Sequence, residues 1–138
     1  EYNRSSDFFQ REIRDYEYYA ILDIAMEALE YNDTVLINAP FTDEIRDDDY
    51  LNKLRERLTK KDAELVVVWV NTDIEVCHQR MIKRNSDRDT WKLEHWDEYV
   101  ASQNYNAPTN IKELIIFENS SEEQFEQSLK DTVKKLRG

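Results

Sequence analysis

The hydrophobic positions of this chain alternate between an unbroken run and a helical period, and the change falls inside one stretch, ELVVVWVNTDIEVCHQRMIKRNSDRD, residues 64–89. Residues 65–70 are apolar without interruption, rich in β-branched side chains and bounded by polar ones, the pattern of a strand buried on both faces of a parallel sheet. Thr72 and Glu75 follow at capping-box spacing, which turns strand into helix within two residues. Along that helix Ile74, Cys77, His78 and Met81 form an inward face, while Arg80, Arg84 and Arg88 recur every four residues. If the helix runs that far, three guanidiniums line one side.

The same patterns place the other elements. Residues 7–30 read as one long helix with Asp7 as N-cap and Gln10 in the capping-box position. Phe9, Ile13, Tyr16, Ala20 and Ile24 make its main stripe, widened by Leu22, Ala25 and Leu29. Asn32 and Asp33 mark a turn, and residues 35–39 predict a second short buried strand stopped by Pro40. Residues 42–61 predict a helix that starts in an acidic run and turns Leu51, Leu54 and Leu58 inward. Residues 89–103 predict another, with Trp91, Leu93, His95, Trp96, Tyr99 and Val100 spread around it. After the loop NYNAPTN, residues 113–118 around LIIF predict a third buried strand. Asn119, Ser120 and Ser121 with Glu123 then cap a last helix carrying Phe125, Leu129, Val133 and Leu136.

No two strands are joined by a hairpin-length turn, and every link is long enough for a crossover. The predicted fold class is therefore α/β, a parallel β-sheet flanked by helices on both faces, with residues 1–138 as a single domain. There are no internal repeats, low-complexity tracts or Gly/Ser linkers to divide it.

Composition narrows the function classes. A net charge of −11 makes a nucleic acid duplex an unfavourable partner, although a local arginine cluster can still attract a small phosphorylated ligand. Ligands of open α/β sheets bind past the carboxyl ends of strands, where this cationic row begins. The one cysteine, Cys77, excludes an internal disulfide and suits a reducing cytoplasm, the expected location. No apolar run approaches the ~18–20 residues needed to span a bilayer, so no membrane association is expected. The one glycine is Gly138, so the chain contains none of the glycine-rich loops that cradle phosphates.

Taken together, VLINAPF, VVVWVNTDIEVCHQRMIKRNSDRD and LIIFENSSEEQ resemble the carboxyl-terminal two-thirds of the P-loop kinase family, small ATP-binding proteins similar to nucleotide, shikimate and polynucleotide kinases. The resemblance covers about residues 10–136 and implies a three-layer α/β/α fold with a mobile lid at about residues 80–103. It implies that Arg84 and Arg88 are catalytic, that Arg80 binds the nucleotide and that Asn119, Ser120 and Ser121 form the adenine-side loop. ATP and Mg2+ are the implied cofactors, and a small molecule is the phosphoryl acceptor.

Two departures qualify that resemblance. The motif G-x-x-x-x-G-K-[ST] and its lysine are absent, and Asn38 and Ala39 stand where the family commonly has an acid, which leaves Asp43 as the candidate metal-supporting carboxylate. The chain starts at Glu1 without a methionine. The expectation is therefore that a segment holding the first strand and phosphate loop is missing, and that this polypeptide alone is catalytically inactive. In the family that strand lies between those matching residues 35–39 and 65–70. Its absence predicts a new pairing, a homodimer through the sheet gap, or low stability.

Other chemistry is poorly supported by the pattern. His78 and His95 lack partners at metal spacing, adjacent Cys77 and His78 point about 100° apart on a helix, and Trp91 and Trp96 read as packing residues before stacking platforms. Asp47, Asp48 and Asp49 read as a solvated helix start. The rival to a kinase is a non-catalytic acidic α/β interaction domain. In it the arginines pair on the surface with neighbours such as Asp87 and Asp89, and the helix at residues 7–30 binds a partner protein.

Overall fold

The computed structural model describes residues 13–138, in two units, Glu1–Leu65 and Val66–Gly138. In the first, α1 (Arg14–Ala28) and α2 (Asp48–Thr59) are joined by a stretch that contains a 3₁₀ turn at Glu44–Arg46. The predicted cap at Asp7 and Gln10, with Phe9, lies outside the described residues. The buried side of α1 is Tyr18, Leu22, Ala25 and Met26, whereas Tyr16 and Ile24 of the predicted stripe are 77% and 67% exposed. The helix is apolar on more than one side, so its pattern alone cannot choose a face. The connection decides it: the Tyr18 hydroxyl donates to the Pro40 carbonyl at 2.8 Å, and its ring lies 4.6 Å from that of Phe41.

Helix α2 begins at residue 48 and not at 42 because Asp47 is extended (φ −96°, ψ 110°) and its carboxylate accepts from the amides of Asp49 and Tyr50. Leu51 and Leu58 are buried, as their spacing requires. Two exposed ion pairs tie α2 and its end to α1, Arg57 to Asp23 at 2.8 Å and Lys61 to Glu30 at 2.6 Å. Exposed pairs of this kind add little to stability and mainly fix register.

The predicted strand at residues 35–39 is a correction: it joins no ladder, and Leu36 and Ile37 are 87% and 42% exposed. β-branched residues favour extended backbone, but a strand exists only with a partner, and the described part of this unit holds none.

The second unit runs β1 (Val68–Asn71), α3 (Ile74–Arg84), a 3₁₀ turn at Asp87–Asp89, α4 (Thr90–Glu94), α5 (Trp96–Ser102), β2 (Ile115–Glu118) and α6 (Glu122–Arg137). The fold is thus α/β with six α-helices among the described residues. As predicted, the strands are parallel, with Val68 opposite Ile115 and Asn71 opposite Glu118. With only two strands, β1 is not buried on both faces: Val66, Val68 and Val70 are 45%, 37% and 58% exposed. Helix α6 starts at Ser121, whose hydroxyl accepts from the Gln124 amide. It lies on β2 through the Phe117–Phe125 edge contact and the Ser128 hydroxyl, which accepts from the Glu118 amide. Among the described residues no helix is long and apolar enough to cross a membrane.

Two further corrections fall on the central stretch. Asp73, not Thr72, caps α3, its carboxylate accepting from the Glu75 and Val76 amides at 3.0 and 3.3 Å. The helix does not reach Arg88: Asn85 adopts the left-handed conformation (φ 47°, ψ 49°) and ends it at Arg84. The helix predicted at residues 89–103 is also broken, at His95, where Trp91 and Trp96 turn to different imidazoles. Trp91 stacks on His95 at 4.7 Å and Trp96 on His78 at 3.9 Å.

Candidate functional site

The carboxyl ends of the two strands are fastened to each other. Asn71, last in β1, donates from its amide nitrogen to both oxygens of Glu118, last in β2, at 3.2 and 3.0 Å, and the Asn119 amide extends the ladder to the Asn71 carbonyl at 2.8 Å. Just beyond, the Asp73 amide donates to the Ser120 hydroxyl at 2.8 Å. The predicted adenine-side residues are therefore engaged in the fold: Asn119 by its backbone, Ser120 as a staple between the two strand ends, and Ser121 as the cap of α6. Sequence reasoning did not single out Asn71 or Glu118. Their signal was that each is the first polar residue after an apolar run, the register position where parallel strands end.

Within α3, Arg80 and Arg84 lie one turn apart, about 6 Å along the axis. Arg88 leaves their row because Asn85 redirects the backbone, so the three do not share one helix face. Their environments differ. Arg80 and Arg88 are exposed and have no ion-pair partner among the described residues. The Arg84 guanidinium donates from Nε and Nη2 to one oxygen of Asp89, at 2.9 and 2.6 Å, and Asp89 is completely buried. The surface-pairing alternative named Asp89, but its burial has no signal in the residue pattern.

Around α3, burial raises the Cys77 thiol pKa, with Arg80 opposing and Asp73 adding to the shift, so Cys77 is not arranged as a nucleophile. Tyr105 is pushed up to about 12, chiefly by burial and then by the charge and hydrogen bond of Tyr99.

Asp43 belongs to the first unit. It pairs with Arg14 at 3.0 Å, and Arg14 also reaches Glu44 at 3.0 Å. Burial lowers the Arg14 pKa, but its bonds to Asp43 and Tyr18 and the Glu44 charge outweigh that, leaving it raised; Glu44 is itself raised, mainly by burial. Among the described residues no three His, Cys, Asp or Glu side chains come together to hold a metal. A carboxylate taken up by a guanidinium does not fit the role of magnesium ligand.

Searches of protein-family models, of curated proteins and of solved structures find no match to this chain.

Proposed function

We propose that this chain supplies the arginine side of a phosphate-binding site in a P-loop kinase-like protein of three-layer α/β/α architecture, cytoplasmic, that transfers the γ-phosphoryl group of ATP to a small acceptor. The observation that supports it most is the state of Arg80 and Arg88. Arg14, Arg57, Lys61 and Arg84 are each paired with a carboxylate, whereas these two guanidiniums, on either side of the reversal after α3, are, like Arg55 and Arg137, exposed and without an ion-pair partner among the described residues. Arg80 stands on α3, the helix that follows directly from the parallel strand β1, and ligands of open α/β sheets bind past the carboxyl ends of strands.

In this reading Arg80 and Arg88 neutralise charge that develops on the phosphoryl oxygens. The phosphate loop and lysine this reaction requires are not among the 138 residues, so the chain by itself binds nucleotide without turnover. Asp43 does not fit as a magnesium ligand, and no step is assigned to the ion.

Calorimetric titration with ATP tests the reading: wild-type chain binds, and Arg80→Ala and Arg88→Ala each weaken binding about tenfold. Equal heats for wild type and both variants would remove the arginines from the site. The acidic interaction domain is favoured instead by one observation, the solvent-facing aromatics of α1, with Tyr16 and Tyr19 77% and 64% exposed. No ATP heat at all would leave that reading standing.

A further inference from the structure

The six residues from Arg84 to Asp89 close on themselves. Asn85 turns the backbone left-handed, the Asp89 amide donates to the Ser86 carbonyl at 2.9 Å to complete the 3₁₀ turn, and Arg84 reaches across the whole reversal to Asp89 with two hydrogen bonds. Both bonds fall on Oδ2; Oδ1 is buried without a hydrogen-bond partner among the described residues. Asp89 stands at the start of α4, yet its carboxylate does not cap that helix.

A carboxylate fully removed from water needs a countercharge held in place, and Arg84 is the cation within ion-pair distance of Asp89 among the described residues. Arg84 therefore cannot swing to a ligand without stranding that charge. Arg88 lies inside the closed reversal, one residue before Asp89, and is exposed, so whatever fixes the turn also fixes Arg88.

Resting on the phosphate reading above, we propose that Arg84 and Asp89 are positioning residues: their pair locks the reversal after α3 so that Arg80 and Arg88, and not Arg84, meet the phosphate oxygens. The division of labour follows from burial. Arg84 has two of its five N–H donors and its charge committed to a buried acid, while Arg80 and Arg88 have all theirs to offer.

The test uses the full chain and inorganic tripolyphosphate, with circular dichroism to verify folding. Wild type binds. Arg88→Ala weakens binding about tenfold, and Arg84→Met does so too, because an unpaired Asp89 opens the turn. The double variant Arg84→Met/Asp89→Leu, which replaces the pair by apolar side chains, restores affinity to within about twofold of wild type. A double variant as weak as Arg84→Met overturns the proposal while leaving the phosphate reading intact, since Arg84 is then itself a ligand. Arginine Nε–H resonances of the wild type decide the matter without any substitution: tripolyphosphate shifts those of Arg80 and Arg88 and leaves that of Arg84 unmoved. Movement of the Arg84 resonance overturns the proposal. A wild type that binds no tripolyphosphate overturns the phosphate reading and this inference together, an outcome separable from the others by that titration alone.

Discussion

Asn71 and Glu118 face each other at the last register position of the two parallel strands, and a single amide nitrogen bonds both carboxylate oxygens. A neutral donor that bridges a carboxylate holds the strand ends together without introducing charge. Asn71→Ala removes both bonds and leaves the half-buried Glu118 without that donor. Urea denaturation should show a loss of about 1.5–3 kcal/mol with an unchanged m-value, and Asn71→Asp a larger loss because like charges then meet.

The start of α3 gives a paired prediction. Asp73 supplies the cap, so Asp73→Ala should cost about 0.5–2 kcal/mol, whereas Thr72→Ala should stay within about 0.5 kcal/mol of wild type. Both are read from denaturant midpoints. A larger loss from Thr72→Ala than from Asp73→Ala would reverse the assignment of the cap.

His78 lies flat on Trp96, with rings 3.9 Å apart and 7° from parallel. His78→Ala should lose about 0.5–1.5 kcal/mol of stability beyond its area effect, and His78→Phe should recover most of it. Tryptophan emission is the second readout, since removing the ring in contact with Trp96 changes its surroundings.

Alkaline titration isolates Tyr105. Its folded pKa, about 12, lies above the ordinary value of 10.0, so the folded state holds this proton more tightly than the unfolded one. The stability it contributes is complete below pH 10 and is lost as pH rises through about 12. Followed by phenolate absorbance, Tyr105→Phe should delete one residue's signal from the latest part of the curve and leave the rest unchanged.

What could be read in advance depended on how local the determinant was. The parallel relation of the strands followed from link lengths, and the stripe of α2 from Leu51, Leu54 and Leu58, because both are properties of neighbours in sequence. Residues 35–39, VLINA, open on a branched apolar run as the strands that do form do. A ladder needs a second chain segment, and no local pattern supplies one. Thr72 and Asp73 both qualify as caps by type; it is the Asp73 carboxylate that accepts from the Glu75 and Val76 amides. For the site, the spacing of Arg80, Arg84 and Arg88 was visible, but not that Asn85 would end the helix between the second and third. The burial of Asp89, which separates Arg84 from the other two, depends on packing of the whole reversal.

Two side-chain-bearing residues among those described, Asp62 and Asn85, have positive φ, at 53° and 47°. Each chain reversal there tolerates a Cβ where a bare α-carbon fits with less strain. Anyone seeking a hardier version of this protein has a short route: Asp62→Gly and Asn85→Gly draw on a reserve of thermal tolerance that the native sequence leaves unused, and neither touches a guanidinium.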